Sequence, residues 1–344
     1  MKKTVLSLSL LSLLCGSVAF AQSSVATNPV GFISITVNGG SSTTPVLTLI
    51  SPTLTNPIAY QSTVQSVSGT TITITGASFT ANEFNGSNGT FYVEDVSTSQ
   101  GGTGVLCDIT ATGSNSVTTA QDISSMVTAG DTLIIRQHIT IGQFLGTSNT
   151  YGLQGGTSAT SADEVLVYDG SSQNTYWYYN GSLGGTAGWY DLNFASASGV
   201  TIAPFQGVVI KRKTSGNVTI TSTGTVKTGN TFFPVVNGLN VLGTVSAQGL
   251  TLGTSGLYTG TSSGVTASTS ATTADEVTVY GFSNGSSTQS NYWYYNGSLG
   301  GTAGWYDLNF TPSGSVALAP GAAFVVNRKG GGAFNWSLPA PTSF

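Results

Sequence analysis

Two segments set an indole, a carboxylate and an amide at alternate positions: Trp189, Asp191 and Asn193, and again Trp305, Asp307 and Asn309. Alternate residues of a β-strand share a face. Each trio would therefore offer a flat ring to a pyranose and polar groups to its hydroxyls, which makes a glycan- or partner-binding face. On that reading Tyr190, Leu192 and Phe194 form the core side. The competing reading packs Trp189 under a loop and has Asp191 hold a turn, and the weight of buried aromatics in β cores favours it.

Other chemistries fit the residues less well. His138 is the sole histidine. One histidine with one cysteine is a poor stock for a zinc site, which takes three or four ligands. A Ser–His–Asp triad would have to use His138, and no nucleophile elbow is present. Asp163 and Glu164 are adjacent, so on a strand they face apart, a poor start for a glycosidase dyad. Calcium at Asp163, Asp191 and loop carbonyls would lack the usual loop spacing. GGTAG lacks the strand-to-helix setting of a phosphate loop. The sequence therefore assigns no catalytic residue, cofactor or metal.

The elements that must position the trios are duplicated. Tyr176–Phe194 and Tyr292–Phe310 are identical over 19 residues at an offset of 116. Downstream, Val200–Lys213 pairs with Val316–Lys329 at the same offset; upstream, Ser161–Tyr168 pairs with Thr273–Tyr280 at offset 112. The four extra residues fall most simply in a surface loop at Phe282–Asn291. A weaker echo pairs Ile141–Gly146 with Gly238–Gly243. Within the identical segment, Asn180-Gly181 suits a two-residue hairpin turn, and Gly184-Gly185 suits a longer loop. Two tandem modules are expected, at 143–229 and 230–344.

Between Thr273 and Lys329 every charge has a counterpart in the first copy, although neighbouring positions have drifted. Charged residues make up only 6% of the chain, so retained charges point to pairing. The expected structural ion pairs join Arg212 to Asp163 or Glu164, and Arg328 to Asp275 or Glu276, and serve register more than stability.

Composition places the chain among all-β proteins. The apolar fraction is 39%, Gly numbers 46, and short β-rich runs are separated by Gly, Asn and Ser clusters. The seven Lys and Arg residues beyond Lys2 and Lys3 are dispersed and make no phosphate-binding stripe, so nucleic acid is not an expected partner. Lys2 and Lys3 precede an apolar run from Val5 to Phe20, and Ala19 and Ala21 suit a cleavage site, the pattern of a secretory signal peptide at 1–21. The run is short and Ser-interrupted for a membrane anchor. Cleavage would change the net charge from −4 to −6 and leave Cys107 as the lone cysteine. A buried small hydrophobe is its expected role, with an intermolecular bridge as the alternative.

The stretch 22–142 is expected to be a separate N-terminal β domain, or a first module that has diverged far. Strands are expected at Gly31–Val37, Val46–Ile50, Thr70–Thr75, Gly89–Val96, Gly104–Thr110 and Gly130–Ile141, with a short helix possible at Thr119–Val127.

The motifs ATNPVGFISI, GTFYVEDV and GDTLIIRQHITIGQFLG, with ADEVLVY, YWYYNGS, GWYDL and IAPFQGVVIKRK repeated as ADEVTVY through LAPGAAFVVNRK, carry a resemblance. By them the chain resembles a paralogous family of exported β-rich proteins of Verrucomicrobia-like bacteria. The resemblance implies export and many copies per genome, and it transfers no reaction.

The expectation is thus an all-β protein: an N-terminal β domain followed by two homologous sandwich- or barrel-like modules. It would be exported to the cell surface or medium of a Gram-negative-type bacterium and self-associate there as a non-catalytic structural protein. The alternative is adhesion to cell-surface glycans through the two Trp/Asp/Asn faces. An outer-membrane barrel is a minor alternative, suggested by Phe344 and opposed by Pro339 and Pro341.

Overall fold

The computed structural model describes residues 29–97, 104–169 and 172–341; the signal peptide expected at 1–21 lies outside them. The fold is all-β, 46% strand, with one short helix. Strands β1 (Val30–Val37) and β2 (Val46–Ile50) come first. A closed barrel follows, built from β3 (Ile58–Ser68), β4 (Thr71–Ile74), β5 (Phe91–Asp95), β6 (Leu106–Thr112), β7 (Ser116–Thr119) and β8 (Thr132–Gln137) in the order β3-β4-β7-β6-β5-β8. Its interior is filled by side chains such as Ile72, Val93, Ile109, Val117 and Ile135. The sequence pattern underlies this: β4 reads Thr-Ile-Thr-Ile, with both isoleucines buried. β3 goes unrecognised in sequence because polar Ser62 interrupts its apolar alternation and its ladders shift register at two points. The helix expected at Thr119–Val127 does not form. Thr119 ends β7, and Asp122 Oδ1 accepts from the Ser124 N–H (2.9 Å), the local competition that disfavours a helix interior.

The first module continues with β9 (Ile139–Thr140), α1 (Ile141–Leu145), β10 (Glu164–Asp169), β11 (Ser172–Tyr179), β12 (Gly188–Asp191), β13 (Thr201–Ile202), β14 (Val208–Arg212) and β15 (Val218–Thr225). The second contains β16 (Thr231–Val235), β17 (Gly238–Gly243), β18 (Leu250–Thr251), β19 (Glu276–Ser283), β20 (Ser286–Tyr295), β21 (Gly304–Asp307), β22 (Ala317–Leu318), β23 (Ala323–Arg328) and β24 (Phe334–Leu338).

Sheet membership moves the expected boundary at 142/143. β1 pairs with β15 and β2 with β14, so the chain's first two strands belong to the first module. The sheets are β12-β11-β10-β14-β2 and β17-β23-β19-β20-β21, one strand order in two modules. Register makes the match residue by residue. Ile50 faces Val208 as Leu242 faces Phe324, and Ile35 faces Ile220 as Phe233 faces Trp336. The barrel is therefore an insertion between β2 and β9, where the second module has only the link from β17 to β18. The echo is corrected too. Gly238–Gly243 matches Val46–Ser51, while Ile139–Gly142 matches Leu250–Gly253: the Gly142 N–H donates to Ser198 O (2.9 Å) as the Gly253 N–H donates to Gly314 O (2.8 Å).

Each module has its own core, the first around Ile35, Ile50, Val165 and Trp189, the second around Phe233, Leu242, Trp305 and Trp336. The outer faces of the two sheets meet in a further apolar layer of Leu49, Leu166, Val209, Val241 and Ala323. This contact is self-complementary. Ile50 bridges Ala322 and its counterpart Leu242 bridges Gln206, while the Ser51 N–H donates to Gly321 O and the Gly243 N–H to Phe205 O, both at 2.9 Å. Reciprocal contacts between equivalent positions are the mark of an isologous two-fold interface, here within one chain. The four extra residues lengthen the β19–β20 hairpin rather than a loop; only Asn284-Gly285 turns. The lengthened strand reaches across, with Ser287 Oγ 2.6 Å from Leu47 N and 3.1 Å from Leu47 O, so the outer edge of β2 is covered.

Candidate functional site

The alternation drawn through Trp189, Asp191 and Asn193 does not hold, because β12 ends at Asp191. Trp189 is buried in the first core, where its Nε1 donates to Gly146 O (2.8 Å), and Trp305 is buried in the second. Neither ring can stack on a sugar, so the two proposed faces are not assembled. Asp191 instead closes a turn: its Oδ1 accepts from the N–H groups of Asn193 and Ala195, both at 2.8 Å. Asp307 does the same for Asn309 and Thr311, and the Thr311 N–H above all holds its carboxyl below the ordinary range.

Of the side expected to be core, Tyr190 is half-buried against Trp177 and Tyr179, while Leu192 and Phe194 are exposed. Phe194 and Phe310 both sit at φ +62°, a conformation that a bulky residue adopts only under constraint. The Phe194 ring is half exposed and packs edge-on against Trp177 (5.1 Å) and Tyr179 (5.6 Å). Asn180–Ala187 forms the longer of the two loops considered. The Tyr179 hydroxyl donates to Gly184 O (2.5 Å) and accepts from the Leu183 N–H (3.1 Å), leaving Leu183 78% exposed. Leu192 is exposed as well. Leu299, Leu308 and Phe310 repeat the arrangement, with Leu299 again 78% exposed. Each module thus ends in an apolar tip on an aromatic base. The outer side of β12 is taken by the returning chain, since Asp191 N donates to Ala195 O (3.0 Å) and Ala197 N to Trp189 O (2.8 Å).

The retained charges occupy two kinds of place. Arg212 Nε lies 2.8 Å from Asp163 Oδ2, both buried, and Arg328 pairs with Asp275 in the second module. The Asp163 carboxylate also accepts the N–H groups of Lys213 and Gln154, both at 2.7 Å. It ties the loop before β10 to the end of β14, and it is not available to calcium. Asp275 accepts in the same way from Lys329 (2.7 Å) and Thr266 (2.6 Å). Glu164 pairs instead with Lys211 (3.0 Å) and Lys213 (2.5 Å), and Glu276 with Lys329 (3.2 Å). Burial opposes ionisation of Glu164, but the two lysines outweigh it and bring its carboxyl below the ordinary value. A third cluster was not anticipated from sequence. Glu94 of the barrel is buried between Arg136 and Lys227, the latter on the linker between modules. Its partners lie far apart in sequence, so no spacing announces it.

A cleft of about 540 Å³ opens where barrel, first module and second module meet. His138 and Cys107 both line it. His138 is buried, its Nε2 2.8 Å from Asp108 Oδ1, and its ring packs on Tyr92 at 4.7 Å. Cys107 is buried, and burial raises its thiol pKa, which keeps it protonated and poorly nucleophilic.

Comparison of the chain with protein-family models, with curated proteins and with solved structures finds no match.

Proposed function

We propose that the chain is an exported, non-catalytic structural protein that joins copies of itself through the two apolar tips. One observation carries this reading: Leu183, Leu192 and Phe194 are exposed, and the same three exposed residues recur as Leu299, Leu308 and Phe310. Scattered surface leucines are ordinary, but Leu183 and Phe194 both adjoin Tyr179, and exposed apolar groups gathered on an aromatic base mark contact sites. Two copies of one patch on one chain make the molecule divalent, so a self-complementary contact between tips propagates into a polymer. Covered edges at β12 and β2 turn the contact toward side chains rather than strand addition. The leader pattern supports export, and the paucity of charge suits a surface that touches neighbours.

The outer-membrane alternative is disfavoured by the barrel's polarity. Its interior is apolar, whereas Gln61, Thr63 and Gln65 are exposed along β3, the reverse of a lipid-facing wall.

Light scattering across a concentration series, with electron microscopy, tests the proposal. Wild type polymerises with concentration. Ser at Leu183, Leu192 and Phe194 stops growth at dimers, and the same changes in both tips give monomers. A wild-type chain that stays monomeric at high concentration overturns it.

A further inference from the structure

We infer that the cleft between the barrel and the two modules binds a short neutral oligosaccharide. It exists because the barrel is spliced into the first module; the second module has no inserted barrel to form such a wall. Its volume, about 540 Å³, lies within the range of small-ligand sites, which favour domain junctions.

The lining chemistry selects the ligand. Tyr168, half-buried, supplies aromatic surface, and Asn174 and Gln121 supply amides that take no hydrogen-bond partner among the described residues. Asp108 supplies a carboxylate, its side chain 66% exposed. His138 engages its Oδ1 alone, which orients the group and leaves Oδ2 free to accept from a hydroxyl. Among the described residues no lysine or arginine lines the cleft to compensate a phosphate or a carboxylate ligand. A ring for a C–H face, amides and one carboxylate for hydroxyls, and no described lysine or arginine fit a neutral sugar site. With Asp108 the single carboxylate among the described lining residues, the inferred activity is sugar binding and not hydrolysis by paired acids.

The purified chain is applied to an array of neutral and acidic glycans, and the best neutral binder is titrated calorimetrically. Asp108→Asn and Asn174→Ala should each weaken binding about tenfold or more, the loss expected for a hydrogen bond to sugar. Ala203→Trp, which fills the cleft, should abolish it at an unchanged unfolding midpoint. Leu183→Ser with Leu299→Ser should leave it intact, which separates the cleft from the tips. Failure to bind any neutral glycan, preference for acidic ones, or unchanged binding in Asp108→Asn overturns the inference, the last even if Ala203→Trp fails to fold.

Discussion

Gly243 rests against Ser51, the residue holding its own place in the other module: a Cβ on Gly243 would sit 2.1 Å from the Ser51 Cβ. Gly207 stands in the same relation to Ala323, with 2.7 Å between a built Cβ and the real one. The internal two-fold passes where equivalent residues meet, and one member of each pair must be glycine because two side chains cannot share that space.

Gly243→Ala should therefore destabilise the chain by about 1–3 kcal/mol, the usual cost of overpacking. Adding Ser51→Gly should recover most of it by restoring one small residue to the pair. Urea midpoints of the two variants check this; equal destabilisation in single and double variants would remove steric conflict as the cause.

Arg212 and Asp163 should behave as a coupled pair. Arg212→Met strands a buried carboxylate and should cost about 3–5 kcal/mol. Arg212→Met with Asp163→Asn should cost clearly less than the two single losses combined, since the amide oxygen still accepts one of the two backbone N–H bonds. A double-mutant cycle with zero coupling would show that the pair is incidental.

Glu164 predicts an acid limb. Its folded pKa is depressed, so the unfolded chain takes up the proton first as pH falls, and the stabilisation present above about pH 4.5 is lost as pH drops through the folded value. Glu164→Gln should lower the urea midpoint at pH 7, and the gap to wild type should shrink steadily as pH falls through the folded value. A gap that does not change with pH would assign the effect to packing.

Excising residues 57–138 and joining Asn56 to Ile139 through a short loop should leave the paired modules folded. Ser51, Thr53 and Thr55 keep their bonds to the modules, the strands of both modules keep their ladder partners and lose only the Val105–Phe232 bridge, and Lys227 becomes solvent-exposed rather than buried without Glu94. Far-ultraviolet circular dichroism and a cooperative melt check this; collapse to an unfolded chain would make the barrel part of the module's core.

How far the sequence reached depends on range. The helix at Thr119–Val127 and the strand face at Trp189 failed for local reasons, a competing Asp122 turn and a strand that stops at Asp191. The boundary at 142/143 failed for a distant one: β2 matches β17 through LTLI and LNVL, too faint to notice before the register aligned them.

Duplication, β class and the retained charges were determined by the chain alone. Identity at a fixed offset needs no coordinates, and a buried ion in a chain with 6% charge must keep its partner. Which acid each arginine meets, which face of β12 is buried, where the first module begins, and that Tyr92, Asp108, Asn174 and Asn240 border one cleft were decided by tertiary structure. The last two rest on strands brought together across an insertion, and sequence spacing carries no information about pairings that a long excursion of the chain closes.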